Sequence, residues 1–192
     1  QFVLKQRNNN FPTLVSESSA LTLKRDNGNY IITTSDNTGV CFSSIGDLRS
    51  WQYKGKELIV QGPEYSNYRW IENDSPTESF TNYAPDAGIT SKSFSAVKVS
   101  DDGLTATATV KGKGRNCNYT FVYTIQNNGA VQLDATYTSN SKGLRRIGLD
   151  MRFVDDYQQL EYYARGPWEN YFDRHRGSHI GRYHTTVDDM FE

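Results

Sequence analysis

Apolar and polar residues alternate along most of the chain, and turn-forming residues interrupt the alternation every ten to fifteen positions or so. Successive side chains of a strand point to opposite faces, so a period of two reads as half-buried β-structure. Tyr30–Ser35 is the first such run and ends at the turn Asn37-Thr38-Gly39. Val40–Ser44 follows and breaks at Ile45-Gly46-Asp47. Leu48–Tyr53 alternates again, and Lys54-Gly55-Lys56 turns the chain into Glu57–Val60. Two hairpins are plainer still. Phe94–Ser100 and Leu104–Val110 flank Asp101-Asp102-Gly103, and Tyr119–Gln126 and Ala130–Thr138 flank Asn127-Asn128-Gly129. Each of these turns carries the glycine that a tight reversal needs at positive φ. Ile147–Phe153 and Leu160–Tyr163 complete the expected strands.

No long stretch repeats apolar residues at the helical period. The one helical patch lies between Glu64 and Ala84, where Asp74-Ser75-Pro76-Thr77-Glu78 suits the start of a short helix or an ordered loop. Many short strands joined by hairpin turns predict an all-β fold, an antiparallel sandwich. Residues 1–20, with the run Asn8-Asn9-Asn10, read as a linker or a frayed first strand.

The length of 192 residues suits one large β domain or two small ones, with enough chain to bury a core. No apolar run approaches the roughly 18 residues of a membrane helix, so no membrane partner is expected. The chain opens at Gln1 without a charged and apolar leader pattern, which bears little on any longer parent. A net charge of −1 lacks the basic footprint of a nucleic-acid partner. Cys41 and Cys117 have no CxxC spacing and read as two free, buried thiols, with a disulfide as the alternative in a periplasmic parent. Periplasm and cytoplasm both fit. Thirteen Tyr, nine Phe and three Trp suit strand packing, and the same rings suit stacking on sugar C–H groups.

Glycoside hydrolysis uses two carboxylates flanking the scissile bond, but no spacing among the 22 acidic residues singles out a pair. His175, His179 and His184 lie four and five residues apart, while Gly177 and Gly181 argue against a helix that would join two of them on one face. The expectation is a loop of solvated or carboxylate-paired histidines and no metal. The alternative is a sugar epimerase using His175 or His179 with a carboxylate.

Two dense patches remain. In Tyr163–Tyr183, Gly166-Pro167 ends a strand, and Trp168, Glu169, Asn170, Tyr171, Asp173 and Arg174 follow. Such a loop suits a polyol. It equally suits a buried network in which Glu169, Asp173, Arg165 and Arg174 satisfy one another. In Gly62–Asp74, Tyr65, Tyr68, Arg69, Trp70, Glu72, Asn73 and Asp74 suit a sugar edge or a domain interface. The candidate carbohydrate-binding set is therefore Arg69, Trp70, Trp168, Glu169, Asn170, Asp173 and Arg174.

The order of these motifs carries a resemblance. IGDLRSWQYKGKELI (45–59), GPEYSNYRWIEND (62–74), RRIGLDMRF (145–153), YYARGPWENYFDR (162–174), IGRY (180–183) and VDDMFE (187–192) together resemble the C-terminal small-chain domain of glycoside hydrolase family 2 β-galactosidases. GPWENYFDR is the strongest match, to a GPxENYxDR element of that family. The resemblance runs from about Leu21 to the last residue. It implies a large antiparallel supersandwich like that of galactose mutarotases, with 21–192 as the N-terminal part of the small-chain domain. It also implies a non-catalytic role. In the family, both catalytic glutamates and the magnesium ligands sit in a (β/α)₈ barrel, so neither a catalytic residue nor a cofactor is carried over to this chain. The family domain continues past VDDMFE, and an aromatic residue that stacks on the sugar comes from that continuation. Open strand edges here are therefore expected to pair with another copy or to lie bare. The expected partners are the other domains of a β-galactosidase, a galactoside and a second copy of the chain.

Overall fold

The computed structural model describes residues 19–67, 89–115, 117–139, 147–168, 170 and 172–190. Among them the chain forms thirteen strands: β1 (Thr22–Asp26), β2 (Asn29–Thr33), β3 (Gly39–Phe42), β4 (Leu48–Tyr53), β5 (Lys56–Glu57), β6 (Ile59–Ser66), β7 (Ile89–Val99), β8 (Thr105–Gly114), β9 (Cys117–Gln126), β10 (Val131–Ser139), β11 (Gly148–Phe153), β12 (Gln159–Gly166) and β13 (His179–Thr186). Phe172–Gly177 and Asp188–Met190 are short 3-10 turns, and no described helix is long and apolar enough to cross a membrane. The chain divides into two compact units, residues 1–152 and 153–192.

In the first unit, β1 to β5 form a five-stranded antiparallel sheet in sequence order. A four-stranded antiparallel sheet runs β10-β9-β8-β7, and β6 pairs with β11. The alternation in sequence becomes alternation in burial. On β9, Cys117, Tyr119, Phe121, Tyr123 and Ile125 are buried, and the residues between them are half exposed. The buried side chains of β8, Ala106, Ala108 and Val110, join them in one core with Ile32, Val40, Phe42 and Leu48 of the five-stranded sheet. Rings knit the two layers together. Phe42 meets the edge of Tyr123 at 5.0 Å and lies 5.5 Å from Phe94, which in turn meets Tyr30 at 5.0 Å. Such pairs add about 0.5–1.5 kcal/mol each beyond the area they bury.

Local chemistry fixes the register. Gly103 and Gly129 close the two predicted hairpins at φ 69° and 90°. Gly112 lies directly opposite Tyr119, and a Cβ at that position would come within 2.1 Å of the Tyr119 ring. The missing side chain lets the ring cross β8. Polar links also bridge the layers: Trp51 Nε1 donates to the Gly129 carbonyl at 3.0 Å, and Lys92 Nζ meets Asp47 Oδ1 at 2.7 Å.

The structure corrects the expected element map in four places. β1 is a strand that the sequence pattern did not show: its residues TLKRD are all exposed at a sheet edge, so nothing in them alternates. β13 replaces the expected histidine loop. The run expected at Glu57–Val60 splits between β5 and β6, because the Glu57 carboxylate accepts from the Trp51 and Ile59 amides at the break. Cys41 is half-buried rather than buried, on the face of β3 opposite Val40 and Phe42, and both it and Cys117 are free. Of the expected helical patch, Glu64–Ser66 belongs to β6, and 68–84 lies outside the described residues, as does most of the expected linker.

Candidate functional site

The second unit is built on the β12–β13 hairpin, paired from Gln159↔Thr186 to Gly166↔His179. Its loop begins at a cis Gly166–Pro167 bond. Tyr162 and Tyr183 oppose each other across the strands, with ring centroids 5.4 Å apart. Cross-strand aromatic pairs of this kind hold a hairpin by about 0.2–1 kcal/mol. Their hydroxyls then close the loop. Tyr183 Oη shares its proton between the carbonyls of Gly166 (3.1 Å) and His179 (2.7 Å), and Tyr162 Oη donates to the Pro167 carbonyl at 3.2 Å. Arg165 Nη1 reaches across to the carbonyls of His175 (3.3 Å) and Ser178 (3.1 Å), tying the 172–177 turn back to β12. Ser178, buried, donates its hydroxyl to Asn170 Oδ1 at 2.9 Å.

Of the expected network, Glu169 and the Arg174 side chain lie outside the described residues; among those described, Arg165 donates to backbone carbonyls, and Asp173 stands exposed at the start of the 3-10 turn. Tyr162, Ser178 and Tyr183 do the closing, roles that the sequence pattern does not show. Their signal was weak: alternate tyrosines on strands usually read as packing.

The seven candidate site residues fall into three groups. Trp168, Asn170 and Asp173 are brought together on one loop, with Trp168 76% exposed. Arg174 lies on the backbone of the 3-10 turn, and its side chain falls outside the described residues. Arg69, Trp70 and Glu169 lie outside them altogether. What the described loop offers is a bare indole face and an exposed carboxylate on a stapled turn. That combination can stack on an apolar surface and accept hydrogen bonds.

The histidines do not converge. His179 and His184 are an odd number of residues apart on β13 and so point to opposite faces. His184 Nδ1 lies 3.6 Å from Glu161 Oε2, and the same carboxylate meets Arg182 at 3.1 Å, all of it exposed. No carboxylate among the described residues pairs with His175 or His179. No group of three or more His, Cys, Asp or Glu side chains among the described residues is placed to hold a metal ion.

Comparison with known proteins gives a consistent answer. The family model "Beta galactosidase small chain" matches residues 34–192. A β-galactosidase from Psychromonas ingrahamii is 27% identical over 163 residues, covering 76% of this chain and 16% of that protein. One from Halalkalibacterium halodurans is 28% identical over 171 residues, covering 78% of this chain and 16% of the relative. One from Oenococcus oeni is 22% identical across the whole chain and 20% of its own length. The chain thus spans about a fifth or less of the relatives it matches.

Proposed function

Because the chain belongs to the β-galactosidase small-chain family, we propose that it serves a β-galactosidase as a non-catalytic β-sandwich domain. It walls the active-site cleft and contributes to subunit contacts, while hydrolysis of terminal β-galactosides is performed elsewhere in the enzyme. The observation that carries this reading is coverage: the small-chain family model matches residues 34–192, and the alignment with the Psychromonas ingrahamii β-galactosidase covers only 16% of that protein. The family resemblance puts both catalytic glutamates and the magnesium ligands in a barrel outside these 192 residues. This chain then contributes shape and contact rather than acid–base chemistry. The outward-facing Trp168, on a loop held by five side-chain hydrogen bonds to backbone, is suited to such contact.

The test is complementation. A β-galactosidase deleted for the matching segment is mixed with this chain and assayed on lactose. The proposal expects activity only when both are present, and less of it with Trp168→Ala. Equal activity with and without the chain would sink it.

A second reading, a stand-alone carbohydrate-binding module, is favoured by the exposure of Trp168, since a binding platform shows a bare ring face. Calorimetric titration with galactose and lactose separates the two. Binding that vanishes on Trp168→Ala supports the module, and an absence of heat supports the domain.

A further inference from the structure

We infer that the first unit carries a separate binding site for a neutral, polyhydroxylated small molecule, in the cavity where β4, β6, β7 and β9 meet. The cavity is a half-open cleft of about 610 Å³, inside the range of about 300–1,000 Å³ typical of small-molecule sites. Its lining has the composition such a ligand requires. Tyr65 and Tyr119 lie nearly parallel, with centroids 6.0 Å apart, and form an aromatic wall of the cavity. Asp47, Arg49, Glu64 and Lys92 supply charged donors and acceptors around them.

The charges decide the ligand class. Two acidic and two basic side chains line the cavity, and Lys92 is already bonded to Asp47 at 2.7 Å. An anion would meet Asp47 and Glu64, and a cation would meet Arg49 and Lys92. Neither gains a net field. A molecule with many hydroxyls, each both donor and acceptor, matches the mixed lining without adding an unpaired charge. Burial pushes the Tyr119 hydroxyl above the ordinary phenol range, with Lys92 opposing and Asp47 and Glu64 adding to the rise. That hydroxyl therefore remains a neutral donor and acceptor at pH 7. The ring floor is rigid: Tyr119 packs on Phe121 at 4.3 Å, and both are buried.

The experiment is an amide-resolved NMR titration of the chain with D-galactose, D-glucose and myo-inositol at on the order of tens of millimolar. Inorganic phosphate and Mg²⁺ serve as charged controls. The site predicts saturable shifts at Asp47, Gln61, Lys92 and Tyr119 with at least one of the three polyols. Tyr119→Phe and Glu64→Gln each weaken that binding by about fivefold or more. Trp168→Ala leaves it unchanged, which separates this site from any at the loop. Glu64 is exposed, so Glu64→Gln keeps the test decisive even if Tyr119→Phe disturbs the fold. No saturable shift with any polyol would overturn the inference. So would saturable binding of phosphate or Mg²⁺ at these residues, or unchanged affinity in both variants.

Discussion

Glu57 shows how one side chain can hold a break between strands. Its carboxylate accepts from Ser50 Oγ (2.5 Å), the Trp51 amide (2.8 Å), Gln52 Nε2 (3.3 Å) and the Ile59 amide (3.4 Å). Burial pushes its pKa up, but these bonds outweigh burial and hold it below the usual carboxylate range. A pKa lower in the folded than in the unfolded chain contributes stability above the unfolded value, about 4.3. That contribution is lost as pH falls through the folded value. Glu57→Gln should therefore lower Tm at pH 7 and flatten the fall of Tm in acid. An unchanged acid slope would show that the carboxylate is not the group responsible. Gly112 makes the opposite point, since it acts by absence. Gly112→Ala sets a methyl against the Tyr119 ring and should cost about 1–3 kcal/mol in urea unfolding. Neither role was legible in sequence, because Glu57 draws its partners from both sides of a strand break and Gly112 meets its partner on the next strand.

Among the elements, β8 and β9 were legible to within a few residues because each alternates between core and solvent, while β4 and β10 were legible from their alternation of residue types and the turns that bound them. β1 and β13 were missed for the converse reason. β1 is an exposed edge of charged residues, and β13 (HIGRYHTT) mixes polar and apolar side chains on both faces. The β12–β13 hairpin is instead held through its loop. Arg165→Met keeps the aliphatic stem and removes both bonds to the 172–178 segment. Amide exchange at Ser178 and its neighbours should rise about tenfold, while that of β8 and β9 stays the same. Equal protection in the variant would show that Arg165 does not tie the turn.

At the scale of the whole chain, the all-β class followed from periodicity alone, and the small-chain identity followed from the order of several motifs. The loop after Gly166 was also found from sequence, as a cluster of polar and aromatic residues behind a strand-ending Gly-Pro. Its internal wiring was not, because Tyr162, Tyr183 and Ser178 act through hydroxyl-to-backbone bonds that no spacing announces. The cavity of the first unit was hidden for a related reason: its lining comes from strands far apart in sequence, β4 to β9. The proposed role requires a contact-making domain without catalytic carboxylates of its own. The most direct test is the rate at which the purified chain hydrolyses a nitrophenyl β-galactoside at saturating substrate. A non-catalytic domain gives no turnover above buffer, with or without Mg²⁺. Turnover that scales with chain concentration and disappears when the chain is unfolded would contradict it.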